Sequence, residues 1–552
     1  MRQISDRPSQ SSSVGSPNTH SAAQWPIAHT IGVSASPAAG GTVSGGGTFA
    51  SGTSQTVIAT PNSGYNFVNW TESGSPVSAS ASYNFTLTGD RTLVANFALV
   101  TYTVAVSASP PAGGTVSGGG TFATGTSRTV TATPKPNYSF GAWTEGGNPV
   151  SFLPAYTFTL NGNRNLVARF NGPEFRVNTV KPSSQNEPEI ARLKDGSFVI
   201  VWQSLGEDGS GYGVYGQRYS ALGTRLGGEF PVNTFPTGDQ RDPSVAALTG
   251  GGFVVVWASA NEDTSGFGVY GQRFTASGAR SGCEFRVNTF NPGDQRDPSV
   301  AGLSGGGFVV AWASANEDTS GFGVYGQEFT AAGAHVGSQF PVNTFKTGDQ
   351  REPSVAGLTG GGFVVTWASA NQDTSGFGVY GQRFDAAAAR VASEFRVNTF
   401  KTGDQREPSV AGLTVGGFVV TWASANQDTS GFGVYGQRYG VSGARSGTEF
   451  RVNTFKLHDQ RQPSVAALIG GGFVTVWSSA GEDGSGTGIY GQRFTAAGAP
   501  TGVEFPVNVY KLHNQSTPDV VGRTDGGQVA TWTSAGEDGS LDGVYGIRLG
   551  PP

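Results

Sequence analysis

Two short polar stretches recur along this chain, and their residue types suit ion or ligand binding. The first is Glu262-Asp263-Thr264-Ser265, with Glu317 and Asp318 at the same place one copy later. Hard cations such as calcium take several oxygen ligands, and these side chains offer some. The spacing, however, is not that of an alternating-Asp calcium loop, and Gln372 and Gln427 replace the Glu in two copies. A hairpin turn whose Asp caps its own backbone is the favoured reading, with calcium as the alternative. The second stretch is Gly-Asp-Gln-Arg, which places Asp239, Asp294, Asp349 and Asp404 at equivalent positions. These read more readily as a solvated charge network than as a binding site, since such surface pairs contribute under about 1 kcal/mol. An aromatic residue, Tyr212, Phe267, Phe322, Phe377 or Phe432, stands in the same loop as the acidic stretch. Exposed rings at regular intervals can stack on sugars, each weakly but together usefully. The structural alternative is a ring folded over a strand edge.

The elements that must position these loops come from one repeated unit. Its Glu-Phe or Gln-Phe start falls at Glu174, Glu229, Glu284, Gln339, Glu394, Glu449 and Glu504, a step of 55 residues, and a Trp keeps the same beat from Trp202 to Trp532. A fixed period of this size means one supersecondary unit copied and stacked. Each unit holds four candidate strands between turn signals. The first, Glu284 to Thr289, alternates polar and apolar residues, and Pro231, Pro341 and Pro506 fall within its copies. Proline cannot donate to a ladder, so this is an edge strand. The next, Pro298 to Leu303, is built of small residues suited to a crowded inner position. The third, Phe253 to Trp257, is apolar on both faces, as in a strand covered on both sides. The fourth, Val269 to Phe274, alternates again.

The array enters at an edge strand, Phe175 to Thr179, and leaves after a fourth strand, Val544 to Arg548. Pairing the two would leave no free edge, which is how radial β-repeats avoid edge-to-edge association. The reading is an all-β chain ending in a seven-bladed β-propeller over residues 174–549, closed by its first and last strands. The polar loops then gather on one face of the ring, and mainly Gly, Ala, Ser and Thr turns on the other.

Composition agrees and excludes other classes. Gly is 86 of 552 residues and charged residues are 13%, a turn-rich profile. A net charge of −5 lacks the basic footprint of nucleic-acid binding. A single cysteine, Cys283, rules out an intrachain disulfide framework. No apolar run approaches 18 residues, so no membrane-spanning helix is expected. Residues 1–29, rich in Ser, Pro, Gln and Asn, read as a flexible leader without the apolar core of a secretory signal. Export would then use another route, or the sequence is a fragment.

Two copies of a different unit lie between, at residues 30–99 and 102–171, with Trp70, Tyr83 and Phe97 matching Trp143, Tyr156 and Phe170. In the first, strands are expected at Gly32–Ala35, Gln55–Ala59, Tyr65–Trp70, Tyr83–Leu87 and Thr92–Phe97, the last three largely alternating. The run Gly41-Thr42-Val43-Ser44-Gly45-Gly46-Gly47-Thr48-Phe49, followed by Ala59-Thr60-Pro61, Tyr65 to Trp70 and Tyr83 to Phe97, resembles the divergent internalin B-repeat. That resemblance implies small β-grasp-like domains, used as spacers or stalk units along bacterial surface and secreted proteins, and it brings no catalytic residues. The 55-residue unit resembles repeat arrays of large bacterial extracellular proteins, and brings no site.

Catalytic constellations are scarce. His458 and His513 occupy equivalent places, but Asp459 beside the first becomes Asn514 beside the second, which weakens a shared metal site. The Gly-rich stretches lack the Gly-Lys-Ser/Thr ending of a phosphate loop. Near-identity among copies argues against an active site, which needs one copy to differ, and no acidic pair confined to one copy stands out. The expectation is therefore a non-enzymatic, monomeric, extracellular or surface-displayed bacterial protein without a required cofactor. Its propeller would recognise a cell-surface, matrix or carbohydrate partner. The rivals are a polysaccharide-acting enzyme at the propeller mouth and a purely structural module.

Overall fold

The third strand of each repeat, second in its sheet, fixes the architecture of the array, because it is apolar on both faces and must be covered on both. In the computed structural model, which describes residues 25–136, 138–262, 265–318 and 320–551, Phe253–Ala260 is buried along its whole length. It sits between Gln240–Ala247 and Phe267–Phe274 in an antiparallel sheet, with Phe285–Arg286 outermost. Six further four-stranded sheets repeat this order. In six of the sheets the outermost strand runs into the following 55-residue unit, and Pro231, Pro341 and Pro506 close such strands at the unpaired edge, where a missing N–H costs nothing.

The last sheet takes its fourth strand from the other end of the array. Phe175–Arg176 pairs antiparallel with Asp542–Leu549, Phe175 opposite Gly546 and Arg176 opposite Tyr545. The inner strand of each sheet lies against that of the next, and Gln185–Arg192 of the first lies against Gln515–Gly522 of the last. Apolar side chains from neighbouring sheets interdigitate. Trp257 packs with Val199, Val201, Val214 and Val232 of the preceding sheet, and Trp202 shares a core with Val529 and Val544 of the last. Phe253 and Phe274 stack at 4.8 Å, and Phe230 of the edge strand leans on Phe274 at 5.4 Å.

Ahead of the array stand two small all-β domains. In the first, five strands run in the order Gly47–Ala50, Ala28–Ser36, Arg91–Leu99, Tyr65–Glu72, Ser75–Ser78, with Ala28–Ser36 parallel to Arg91–Leu99. Gly41–Ser44, Ser54–Pro61 and Ser82–Thr86 form a second sheet. Ile31, Val57, Trp70, Leu93 and Phe97 fill the core. Gly40 and Gly41 press on Phe97, where an added Cβ would lie 2.6 Å from its Cβ and 2.4 Å from its ring, respectively. Three short strands of this domain, at 41–44, 47–50 and 75–78, were not expected, because Gly-rich sequence hides them. The second domain has the same two sheets. Of the leader expected at 1–29, residues 1–24 lie outside the described residues. Among the described residues no helix is long and apolar enough to cross a membrane.

Candidate functional site

Five inner strands begin Gln-Arg-X-Pro-Ser-Val, as in Gln240-Arg241-Asp242-Pro243-Ser244-Val245, while the first begins Gln185-Asn186-Glu187-Pro188-Glu189-Ile190 and the last Gln515-Ser516-Thr517-Pro518-Asp519-Val520. X is Glu187, Asp242, Asp297, Glu352, Glu407, Gln462 or Thr517. The register slips by one residue there: Asn186 stands opposite Gln203 but Glu189 opposite Val201. The extra residue makes a β-bulge, which bends a strand and re-aims a side chain. All seven X residues take the left-handed backbone, with φ from 47° at Thr517 to 56° at Glu352 and Glu407, a conformation that costs about 1–3 kcal/mol in a non-glycine residue. The bulges turn X toward a cavity of about 710 Å³ lined by the X-Pro segments of all seven sheets.

Part of the cavity wall is stitched together. The Glu352 carboxylate accepts the Glu407 N–H at 2.8 Å, Glu407 accepts that of Gln462 at 2.7 Å, and the Gln462 side-chain oxygen accepts that of Thr517 at 3.0 Å. Arg406 and Arg461 pair with Glu352 and Glu407 at 3.1 and 2.6 Å. The series breaks at the first two sheets. The Glu187 N–H goes instead to Thr533 Oγ1 at 3.1 Å and the Asp242 N–H to Gln203 Oε1 at 3.0 Å. Gln203 and Thr533 follow the conserved-phase Trp, where four copies carry Ala. Released from that duty, the Glu187 and Asp242 carboxyls hydrogen-bond each other.

A second carboxyl pair is specific to two sheets. In five copies the residue after the Pro is Ser, and Ser244 Oγ, for example, accepts the Val300 N–H of the next sheet at 3.2 Å. The first and last copies carry Glu189 and Asp519 instead. Asp519 accepts the Ile190 N–H at 2.8 Å, the Val520 N–H at 2.8 Å and the Ser464 hydroxyl at 2.6 Å. Three donors favour the ionised form. Glu189 hydrogen-bonds Asp519, so the proton of the pair resides on Glu189.

Burial drives the electrostatics. It pushes Glu189 well above the usual carboxylate range, with the Asp519 charge adding to it. Burial and then Asp242 push Glu187 up to about 8. Burial, with Asp242 and Glu352 nearby, takes Asp297 to about 6. Asp242, Glu352 and Asp519 are raised by burial as well. These side chains keep part of their surface open to the cavity, and water there moderates each shift. The cavity thus holds protonated and ionised carboxyls together, the requirement for acid–base chemistry. Among the described residues no three His, Cys, Asp or Glu side chains converge as a metal site would require.

The residues singled out from sequence lie elsewhere, in latches between sheets. Asp239 Oδ1 accepts the Tyr212 N–H at 3.0 Å, and Asp294, Asp349 and Asp404 accept those of Phe267, Phe322 and Phe377 at 3.1, 3.1 and 3.0 Å. Arg241, Arg296, Arg351, Arg406 and Arg461 lie over the rings of Tyr212, Phe267, Phe322, Phe377 and Phe432 at 4.0–4.5 Å. One correction follows: these aromatics are not loop residues but open the fourth strand of the repeat, third in its sheet, Phe267 pairing with Ala260, because the Asp from the next unit satisfies their N–H. Between them Gln240 is fully buried, accepting from Asn233 at 3.1 Å and donating to Thr237 O at 3.1 Å.

In the acidic loop, Glu317 accepts from the Ser314 hydroxyl and from Gln339 Nε2, and Asp318 is buried. Glu262 belongs to the equivalent loop, and Asp263 lies outside the described residues. Among the described residues the Asx turn occurs in three copies, where Asp208, Asp483 and Asp538 accept the N–H two residues on. The Glu189–Asp519 pair was missed from sequence although a signal existed: superimposing the copies at their 55-residue step shows Glu189 and Asp519 alone in a column of Ser.

Residues 31–101 and 102–173 each match the family model described as the divergent InlB B-repeat domain. No curated protein sequence matches the chain. Among solved structures it is similar to a protein of unknown function from Dyadobacter fermentans (11% identity, 69% of this chain and 98% of that one, TM-score 0.45). It is also similar to an α-L-arabinofuranosidase from Fusarium graminearum (12% identity, 56% and 92%, TM-score 0.40) and to one from Lactobacillus brevis (14%, 49% and 96%, TM-score 0.31). The last two are glycoside hydrolases. The Glu189–Asp519 pair, one carboxyl from the first copy and one from the last, removes the ground for expecting a protein without enzymatic activity, which was that no acidic pair confined to one copy stands out.

Proposed function

We propose that the seven sheets form a closed seven-bladed β-propeller whose axial cavity hydrolyses glycosidic bonds in a carbohydrate substrate. The two B-repeat domains would serve as spacers holding it outside a bacterial cell. Support for closure comes from the Phe175–Gly546 pairing and the contact of the first and last inner strands. The single observation that carries the activity is the Glu189–Asp519 pair, one carboxyl held ionised by three donors and the other left with the proton.

Glycoside hydrolysis needs a carboxylic acid to protonate the leaving oxygen and a carboxylate to activate water. Glu189 fits the first role. Asp297, brought to about 6, is ionised at neutral pH and fits the second. Glu189 would give its proton to the glycosidic oxygen as that bond to the anomeric carbon breaks. Asp297 would take a proton from the water that bonds to the same carbon. Carboxylates and Ser hydroxyls around the wall suit a polyhydroxylated substrate, and 710 Å³ accommodates several sugar units.

The test is the double variant Glu189→Ser with Asp519→Ser, which installs the residue five copies already carry and so keeps the fold. Reducing-end release from a panel of arabinans, xylans, pectins and sialylated glycans should be measurable for the unaltered protein and abolished in the variant at unchanged melting temperature. Retained activity in the variant, or none in the unaltered protein across the panel, would defeat the reading.

A further inference from the structure

Far from the cavity, one side-chain contact recurs in the sheets with a chemical alternation that identifies its protonation state. It joins the loop after the second strand to the outermost strand. In three sheets the contact is an amide on a carboxylate: Gln339 Nε2 donates to Glu317, Gln372 Nε2 to Glu394 and Gln427 Nε2 to Glu449, at 2.5–2.6 Å. The Gln sits on the outermost strand in the first of these and in the loop in the other two. In the remaining sheets both positions are Glu: Glu207 with Glu229, Glu262 with Glu284, Glu482 with Glu504, and Glu537 with Glu174.

The outer carboxyl of each pair has one oxygen fully employed. Glu229 accepts the Thr179 N–H and hydroxyl at 2.6 and 2.7 Å, and Glu174 accepts the Val509 and Tyr510 N–H groups at 2.7 and 3.2 Å. Glu504 accepts both from Thr454. On the loop side Ser479 Oγ donates to Glu482 at 2.7 Å. The facing oxygens are buried and meet no donor: Glu207 Oε2 and Glu229 Oε1, Glu537 Oε2 and Glu174 Oε1, and Glu504 Oε1. Two buried oxygens in hydrogen-bond contact without a proton between them repel, and each unsatisfied one costs about 1–3 kcal/mol. In the other three sheets an amide hydrogen fills this gap.

We propose that the Glu–Glu contacts are acid–carboxylate clasps, each holding one shared proton where the sister sheets hold a Gln N–H, so that the outer edge of the array loosens as the medium turns alkaline. Each outer carboxylate also grips the connection leading from one sheet to the next, so opening a clasp frees that connection. The surroundings reinforce the proton's hold. Glu207 is faced by Ser204, Asp208, Tyr215 and Glu229, and Glu482 by Ser479, Asp483, Tyr490 and Glu504, while Arg225, which like Glu229 lies beside Tyr219, is spent on the Arg176 and Val177 carbonyls. Glu537 is faced by Ser534, Asp538, Tyr545 and Glu174, and the one nearby cation, Arg176, is spent on Asp538 at 2.9 Å. Burial first, then the partner carboxylate, brings Glu207, Glu482 and Glu537 to about 8. A carboxyl raised in the folded state adds stability that is complete at acid pH and is lost as pH rises through about 8.

The experiment is thermal unfolding of the full chain from about pH 6 to about pH 9.5, for the unaltered protein and for Glu207→Gln/Glu482→Gln/Glu537→Gln. The unaltered protein should lose several degrees of melting temperature across the range, and the variant, carrying the amide that three sheets already use, should lose much less. Infrared difference spectra give an independent readout: a protonated-carboxyl C=O band at neutral pH, reduced in the variant. Parallel pH curves for the two proteins overturn the proposal, and so does a band that the variant leaves unchanged.

Discussion

The ring of Phe175 lies directly over Gly546, two residues from opposite ends of the array that stand as partners in one sheet. A Cβ on Gly546 would come within 2.9 Å of the ring, and the same relation joins Phe230 to Gly216 and Phe285 to Gly271. The last sheet therefore depends on a residue with no side chain at 546. Gly546→Ala should lower unfolding free energy by about 1–3 kcal/mol, the range for overpacking a filled site. Gly228→Ala, on an exposed edge with open space around it, should stay within about 0.5 kcal/mol. Chemical denaturation of both variants checks this. Equal effects would mean that the pairing at the array's two ends contributes little.

The carboxyls of the cavity fix a pH profile. Asp297 at about 6 must be ionised to act as base, so activity should rise through about pH 6. Glu189, held well above the usual range, must keep its proton, so activity should fall again at alkaline pH. Asp519→Asn removes the charge that raises Glu189 and should pull the alkaline limb to lower pH while leaving the acid limb in place. Initial rates against pH for both proteins decide it, and an unmoved alkaline limb would take Glu189 out of the acid role.

The connections between sheets are held by buried amides. Asn398 Oδ1 accepts the Val379 N–H at 2.9 Å, while its Nδ2 donates to Gln405 Oε1 at 2.9 Å and to Phe400 O. Both Asn398 and Gln405 are fully buried. Asn398→Ala strands the Val379 N–H and the Gln405 oxygen in the interior, so unfolding free energy should fall by about 2–4 kcal/mol. Hydrogen exchange should localise the loosening to the Val379 amide and its neighbours.

Repeat period, strand number and the edge position of the Pro-bearing strand were all legible in the sequence, because burial pattern and proline chemistry act locally. The bulge before Pro188 and its six counterparts was not. A residue preceding proline is normally extended, yet Glu187 and its equivalents adopt φ near 50°, held by N–H groups that find acceptors on the neighbouring sheet. That is a tertiary effect with no local signature. The acid pair was half legible. Glu189 and Asp519 break a column of Ser in plain sight, but only the meeting of the first and last sheets brings them together. The aromatic and Asp series were found correctly as repeated features. Their partners, the Arg and N–H groups of adjoining units, were not legible, since contacts between units follow from packing and not from spacing.

Gln203 controls whether Glu187 and Asp242 pair. In the stitched part of the wall each X carboxylate accepts the N–H of the next X residue, as Glu352 does for Glu407. At Asp242 that N–H is taken by Gln203 Oε1, which leaves the Glu187 carboxyl to seek Asp242 itself. Gln203→Ala restores the residue found after the Trp in four copies. The freed Asp242 N–H should then turn to Glu187, replacing a carboxyl–carboxyl contact by a charge-assisted bond that favours the ionised form. Glu187, now at about 8, should titrate closer to an ordinary glutamate. Carboxyl-carbon NMR titration of the two proteins reads this directly. An unchanged Glu187 midpoint would show that burial alone, and not the diverted N–H, sets its proton affinity.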